Sequence, residues 1–471
     1  MQKCFLSSRN LGFCFFLLFL GCFSDVVYAQ RNDDSIQIRK IFDMALADGK
    51  AYENLRTLCK EVGCRISGSP AADSAVGWGY NLLKEMNVDT VYKQAIMVPH
   101  WERGNMERAK VFHDDTKLNI TALGGSVATN GSLKAQIVVA NGIEDLDRLG
   151  EKQIKGKIVL FNKPFDPRII NSFEAYSACV GQRYSGASKA AEYGAVAVLV
   201  RSMTQKFDNN PHTGSMGYTN ELNKIPAAAI STEHADLLLS KLEEKPDLFV
   251  VLKMNCKSFP DKQSYNVIAE IKGKTDPKTV ITVGGHLDSW DIGEGAHDDG
   301  AGIVHSIELL RLIKANGYRP RHTIRVVLFM NEENGNRGGK GYAKWVKESN
   351  EKQLMALESD AGGHTPRGFS ISATDSQYSS IASYRNLLEP YGCHVFRKSD
   401  WGGGVDINPL KLDKELTINP DMILLGFLPD GQRYFDFHHA ASDVFENVHK
   451  RELEMGAGSI GAIVFLIDKY F

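Results

Sequence analysis

Apolar strands and amphipathic helices alternate regularly from about Asp261 to the C-terminus, and few architectures accept that order. "VITVGG" runs into "AGIVHSIELLRLIKAN", whose Ile303, Ile307, Leu310 and Ile313 fall on one helical face. Strand-like "TIRVVLFM", helix-like "GGKGYAKWVKE", strand-like "LMALESD", a helix around Ile381–Leu388, strand-like "MILLGF" and a closing helix follow. Strands that are apolar along their whole length are buried on both faces, because a half-exposed strand alternates with polar residues. The predicted fold is therefore α/β, a mostly parallel central sheet with helices on both faces. In such sheets ligands bind in the crevice at the carboxyl ends of the strands.

Upstream, the texture changes twice. From Asp34 to about Gly104 the chain reads as helix, most clearly in "AADSAVGWGYNLLKEMNV", and then as strand in "TVYKQAIMV". Between about Asn105 and Phe259, short β-branched runs ("AQIVVA", "GKIVLF", "AVAVLVRS") alternate with glycine and one helix, "SGASKAAEYG". That predicts an inserted β-rich unit, residues 105–259, between two parts of a larger domain, residues 30–104 and 260–471. Residues 1–29 read as an export signal, with Lys3 and Arg9, an apolar block Phe13–Phe23, and Val-Tyr-Ala before Gln30. The block is too short for a comfortable membrane span, and Phe-Leu-Gly fits lipid attachment at Cys22 poorly. The expectation is an exported protein with no integral membrane span after signal removal. With 55 basic and 57 acidic side chains, nothing favours nucleic acid or an anionic membrane surface as partner. Cysteines outside the signal form no CxxC pair, which argues against a thiolate zinc site, although Cys59 and Cys64 are close enough to bridge.

Four clusters of histidine and carboxylate sit where strands end. They are His286, Asp288 and Asp298; Glu332 and Glu333; Asp360; and His438, His439 and Asp443. Singly, each has an ordinary explanation, since Glu-Glu is usually solvated surface and a lone histidine is usually a satisfied core residue. Jointly, with strand-end placement bringing them to one crevice, they describe a metal site. Imidazole and carboxylate without thiolate suit catalytic zinc. One bridging carboxylate, plus one histidine and one carboxylate per ion, holds two zinc ions. His286, Asp298, Glu333, Asp360 and His439 supply that inventory and leave Glu332 over. Consecutive side chains of extended backbone point in different directions, so one glutamate can bind metal while the other faces the attacking water.

"GGHLDSWDIGEGAHDDGAG", "NEENGNRGG", "ESDAGG" and "FHHAASD" resemble the secreted co-catalytic zinc aminopeptidases and glutamate carboxypeptidases. "PHWERG" at 99–104, "ALGGSV" at 122–127 and "WGGGVDINPL" at 401–410 are similar to one branch of that family. The resemblance implies a phosphorylase/hydrolase-like catalytic domain split by a protease-associated insert. It implies that Asp298 bridges two Zn2+, that His286 and Asp360 complete one, and that Glu333 and His439 complete the other. Asp288 would hydrogen-bond His286, Asp443 would do similar work near His439, and Glu332 would be general base and later proton donor. "GEGAHDD" leaves Asp299 as an alternative bridge, with the Asp-x-Gly-x-Gly frame favouring Asp298. His438 stands where some relatives carry tyrosine and either donates to the oxyanion or packs. Asp406 and Gly404 are candidates for contacting substrate, Asp406 at the free amine. The implied substrate is a dipeptide or short peptide with a free amino terminus, and a homodimer is implied as well. Alternatives are an aminopeptidase on longer peptides and a glutamate carboxypeptidase, for which Arg337 is the nearest cation in sequence. A non-catalytic binding ectodomain and a single-zinc glutaminyl cyclase fit less well, because no ligand is missing. The insert is expected to supply no metal ligand, although it contains His212 and His234.

Overall fold

The computed structural model describes residues 33–219, 223–349 and 351–471; residues 1–29, read above as an export signal, lie outside the described residues. Its main sheet has eight strands. Four parallel strands form the centre, in the order His322–Phe329, Asp276–His286, Lys352–Glu358 and Ile423–Pro429. Antiparallel partners frame them. Lys257–Ile271 joins His322–Phe329 and in turn pairs with Thr90–Glu102. On the other side Pro366–Ser372 pairs with Ile423–Pro429 and carries Val395–Lys398. The parallel centre expected from the apolar runs is present, and only the flanks reverse direction.

Burial explains the continuous apolar strands. Every residue of His322–Phe329 is buried. Ile324, Val326 and Leu328 pack with helices Ala301–Asn316 and Lys450–Tyr470, while Val327 and Phe329 face Tyr342, Ala343 and Val346 of helix Arg337–Ser349. Each such side chain contributes about 1.5–3 kcal/mol relative to exposure. Helix Ala301–Asn316 stops at Gly317, whose φ of 68° is the left-handed cap conformation that glycine adopts without steric cost.

Thr90–Glu102 and Lys257–Ile271 form a long antiparallel ribbon, with Trp101 opposite Ser258 and Glu102 opposite Lys257. The chain between them builds a second eight-stranded sheet, from Glu107–Val111 to Phe249–Met254. Its own parallel centre is Leu133–Ala140, Ile158–Phe161, Ala197–Arg201 and Ala227–Ile230. Apolar cores cover both of its faces. Cys59 and Cys64 are unpaired, the first buried and the second exposed. Among the described residues no helix is long and apolar enough to cross a membrane.

Candidate metal centre

Neighbouring parallel strands lie about 4.8 Å apart, so side chains just past their carboxyl ends share one crevice. His286 closes Asp276–His286, Glu332 and Glu333 follow His322–Phe329, and Asp360 follows Lys352–Glu358. His438 and His439 arrive after Ile423–Pro429, through the turn Tyr434–Asp436. All four predicted clusters meet there. His286 Nε2 lies 3.2 Å from Asp298 Oδ1 and 3.4 Å from Asp360 Oδ1. His439 Nε2 lies 3.3 Å from Asp298 Oδ2 and 3.2 Å from Glu333 Oε2. Ligand atoms on a tetrahedral zinc with bonds of about 2.0–2.1 Å are about 3.3 Å apart, so these distances have the length of tetrahedron edges. Asp298 Oδ2 and Glu333 Oε1 are buried without a hydrogen-bond partner, a costly state that a dication relieves. The donor set fits zinc.

Hydrogen bonds set the tautomers. His286 Nδ1 faces the Asp288 carbonyl at 3.0 Å, and His439 Nδ1 faces the Thr213 carbonyl at 3.2 Å. A ring nitrogen facing a carbonyl carries a proton, so Nε2 is the atom of each ring that would bind a metal on the carboxylate side. Burial raises the Asp298 and Glu333 carboxyls above their ordinary values, and burial holds His439 well below its own. At His286 burial opposes protonation, but Asp360 and Asp298 outweigh it and raise the imidazole. Glu332 is partly exposed. Burial of its carboxyl, with Asp360 and Asp298 adding and His286 opposing, pushes it up to about 8.

Several expectations need correction. Asp288 does hydrogen-bond His286, but through its backbone carbonyl, and its carboxylate lies 3.9 Å from Nδ1. The carboxylate accepts instead from the backbone N–H groups of Asn331, Glu332 and Glu333, at 2.6, 3.1 and 3.3 Å. Asp288 thus clamps the loop that carries the glutamate pair. Asp443 supports the neighbour of His439 rather than His439 itself, accepting from the N–H groups of His297 and Asp298 at 2.8 and 3.1 Å. Asp299 accepts from the N–H groups of His286 and Gly302, at 3.0 and 2.9 Å, and still groups with His286 and Asp360 as a possible ion donor, whereas Asp298 alone reaches both His286 and His439. Asp406, expected at the substrate amine, is wholly buried, and burial together with Glu358 raises its carboxyl well above normal. Gly404 is there for space: a Cβ would sit 2.3 Å from the Glu358 carboxyl carbon, and its N–H points to Asn408 Oδ1 at 3.4 Å. Arg337 pairs loosely with Asp261, at 3.8 Å, on an exposed face. His438 stacks on His439, ring centroids 3.6 Å apart, and its Nε2 is 3.7 Å from Asp298 Oδ2. The donor groupings that could hold an ion include neither His212 nor His234.

Three supporting residues escaped the sequence reading. Arg65, fully buried, donates to the carbonyls of Leu287, Glu294 and Gly295 at 2.6, 2.6 and 3.0 Å and so staples the loop between His286 and Asp298. Thr213 and Arg183 reach His439 from the insert. Arg183 is 6 % exposed, with Nη1 3.2 Å from His439 Nδ1, its guanidinium 5.5 Å from the Tyr176 ring centre, and a buried Nε that has no partner.

Residues 266–459 match the model of peptidase family M28, and residues 126–238 match the PA domain. Carboxypeptidase Q of Xenopus laevis is 34 % identical over 90 % of this chain and 89 % of its own length. Human carboxypeptidase Q is 33 % identical, over 89 % of this chain and 86 % of its own. A crystal structure of a peptidase M28 precursor from Shewanella amazonensis superposes with a TM-score of 0.87 at 31 % identity, covering 93 % of this chain and 97 % of that one. A zinc aminopeptidase from Bacillus subtilis shares the fold, with a TM-score of 0.63 at 21 % identity over 89 % of this chain and 95 % of its own. With its histidine–carboxylate crevice, its PA-domain insert and this degree of kinship, the chain belongs to peptidase family M28 as a carboxypeptidase Q-like, zinc-dependent metallo-exopeptidase.

Proposed function

We propose that the protein holds two zinc ions, one at His286, Asp298 and Asp360 and one at Asp298, Glu333 and His439, and hydrolyses dipeptides or short peptides with a free amino terminus. The observation that carries this reading is the split of the Asp298 carboxylate, one oxygen toward His286 and the other toward His439. When bound, zinc supplies a Lewis acid that polarises the scissile carbonyl and acidifies water. Glu332 takes the proton of the attacking water at its carboxylate and later delivers it to the leaving amine. Asp288 keeps Glu332 in place through the three N–H groups it receives. His438, held neutral by burial, offers a ring N–H to the developing oxyanion. Residues 105–259 form the protease-associated insert, and the export signal puts the enzyme outside the cytoplasm.

Arg183 favours a substrate with a free carboxyl end close to the scissile bond. With Nε2 turned to zinc, His439 keeps its Nδ1 proton for Thr213, so Nδ1 cannot accept from Arg183. The guanidinium then stands buried beside the centre with no carboxylate partner among the described residues. A buried cation without an anion is costly, and the carboxylate of a dipeptide supplies one. Turnover of a free dipeptide, its C-terminal amide, its N-acetyl form and a hexapeptide tests the reading. The free dipeptide is expected to be the best substrate, and Arg183→Ala is expected to raise KM about tenfold or more for it alone. Equal turnover of the amide and the hexapeptide would favour an aminopeptidase on longer peptides.

A further inference from the structure

The insert adds no atom to the proposed ligand set, yet three of its consecutive residues run along the two histidines. His212 Nδ1 donates to the His438 carbonyl at 2.8 Å. The Thr213 N–H donates to the His439 carbonyl at 2.9 Å, and the Thr213 carbonyl accepts from His439 Nδ1 at 3.2 Å. At Gly214, where φ is 134°, a Cβ would meet Arg183 Nη1 at 2.3 Å and His439 Nδ1 at 2.6 Å. These residues are fixed in turn to the insert's own sheet. The His212 N–H donates to Ser202 Oγ at 2.8 Å, Thr213 Oγ1 to the Ala122 carbonyl at 2.8 Å, and the Gly124 N–H to the Gly214 carbonyl at 2.9 Å.

His439 needs such bracing. Its φ of 60° is left-handed, a conformation that strains a non-glycine residue and persists only where neighbours enforce it. His286, by contrast, is held entirely from the main domain, through the Asp288 carbonyl and the Asp299 carboxylate. The two histidines are therefore secured by different parts of the chain.

We infer that His212, Thr213 and Gly214 are positioning residues for His439, so that zinc binding between His439 and Glu333 depends on the insert while binding at His286 and Asp360 does not. This inference rests on the ligand assignment proposed above. It is tested by the zinc retained by the full-length mature protein across a series of chelator concentrations, in His212→Ala, His212→Asn, Gly214→Ala and His439→Ala. Orienting contacts of this kind are worth about 10–100-fold in metal affinity. His212→Ala and Gly214→Ala are expected to release one of two zinc ions at chelator concentrations about 10–100-fold lower than the wild type does. His212→Asn keeps an N–H donor near the place of Nδ1 and is expected to restore retention. General structural damage would loosen both ions together and would not be rescued by asparagine. Wild-type retention in both His212→Ala and Gly214→Ala, with one ion lost in His439→Ala, would overturn the inference; both ions retained in His439→Ala would overturn the ligand assignment itself.

Discussion

Glu332→Gln is expected to keep its zinc and lose its turnover. Glu332 belongs to none of the donor groupings within reach of a single ion, whereas the adjacent Glu333 groups with His286 and Asp298. Its backbone is held by the Asp288 carboxylate, a contact that the substitution leaves untouched. Glutamine preserves size and hydrogen bonding but cannot take the proton of the attacking water. Loss of a general base lowers rates by about 10²–10⁴, and by more where the same group protonates the leaving amine. Glu333→Gln is expected to fail differently. Glu333 Oε2 sits 3.2 Å from His439 Nε2, and a neutral amide is a poorer ligand than a carboxylate, so the zinc proposed between Glu333 and His439 should bind more weakly. Zinc content and kcat measured on both variants separate the roles. Metal loss in Glu332→Gln with retention in Glu333→Gln would reverse them, and full activity in both would put the chemistry elsewhere.

Asp298→Ala is expected to remove nearly all zinc and activity, because one side chain serves both proposed sites. Lewis-acid stabilisation is worth several kcal/mol, and each 1.4 kcal/mol is about tenfold in rate, so kcat/KM should fall by at least about 10³. Asp299→Ala makes the informative partner. Asp299 ties the backbone of His286 to the start of helix Ala301–Asn316, and its removal should lower stability while leaving zinc stoichiometry at two. Thermal unfolding and elemental analysis of the pair distinguish the two aspartates. Near-wild-type activity in Asp298→Ala would move the bridge.

The parts of this account legible in the sequence are those in which residue type alone carries the information. Helix Ala301–Asn316 announces itself by apolar spacing, and the buried central strands by unbroken apolar runs. Pro366–Ser372 and Val395–Lys398 escape notice: one reads "PRGFSIS", with glycine and serines, and the other has four residues, two of them basic. The candidate ligands stand out because histidines and carboxylates at strand ends need a partner. Their supports do not, because the contacts run to backbone atoms. Any residue type but proline presents the N–H groups from which Asp288 accepts at 331–333, and any residue type at 213 presents the carbonyl that faces His439. Arg183 meets His439 across 256 positions of sequence, with no motif to announce the contact.

Anomalous diffraction at the zinc edge, from crystals of the mature protein, tests the central claim most directly. Two peaks about 3.5–4 Å apart are expected, one beside His286 and Asp360, the other beside Glu333 and His439, with one Asp298 oxygen on each. A single peak, or a second ion held by Asp299 or Glu332 in place of Asp298 or Glu333, would contradict that claim.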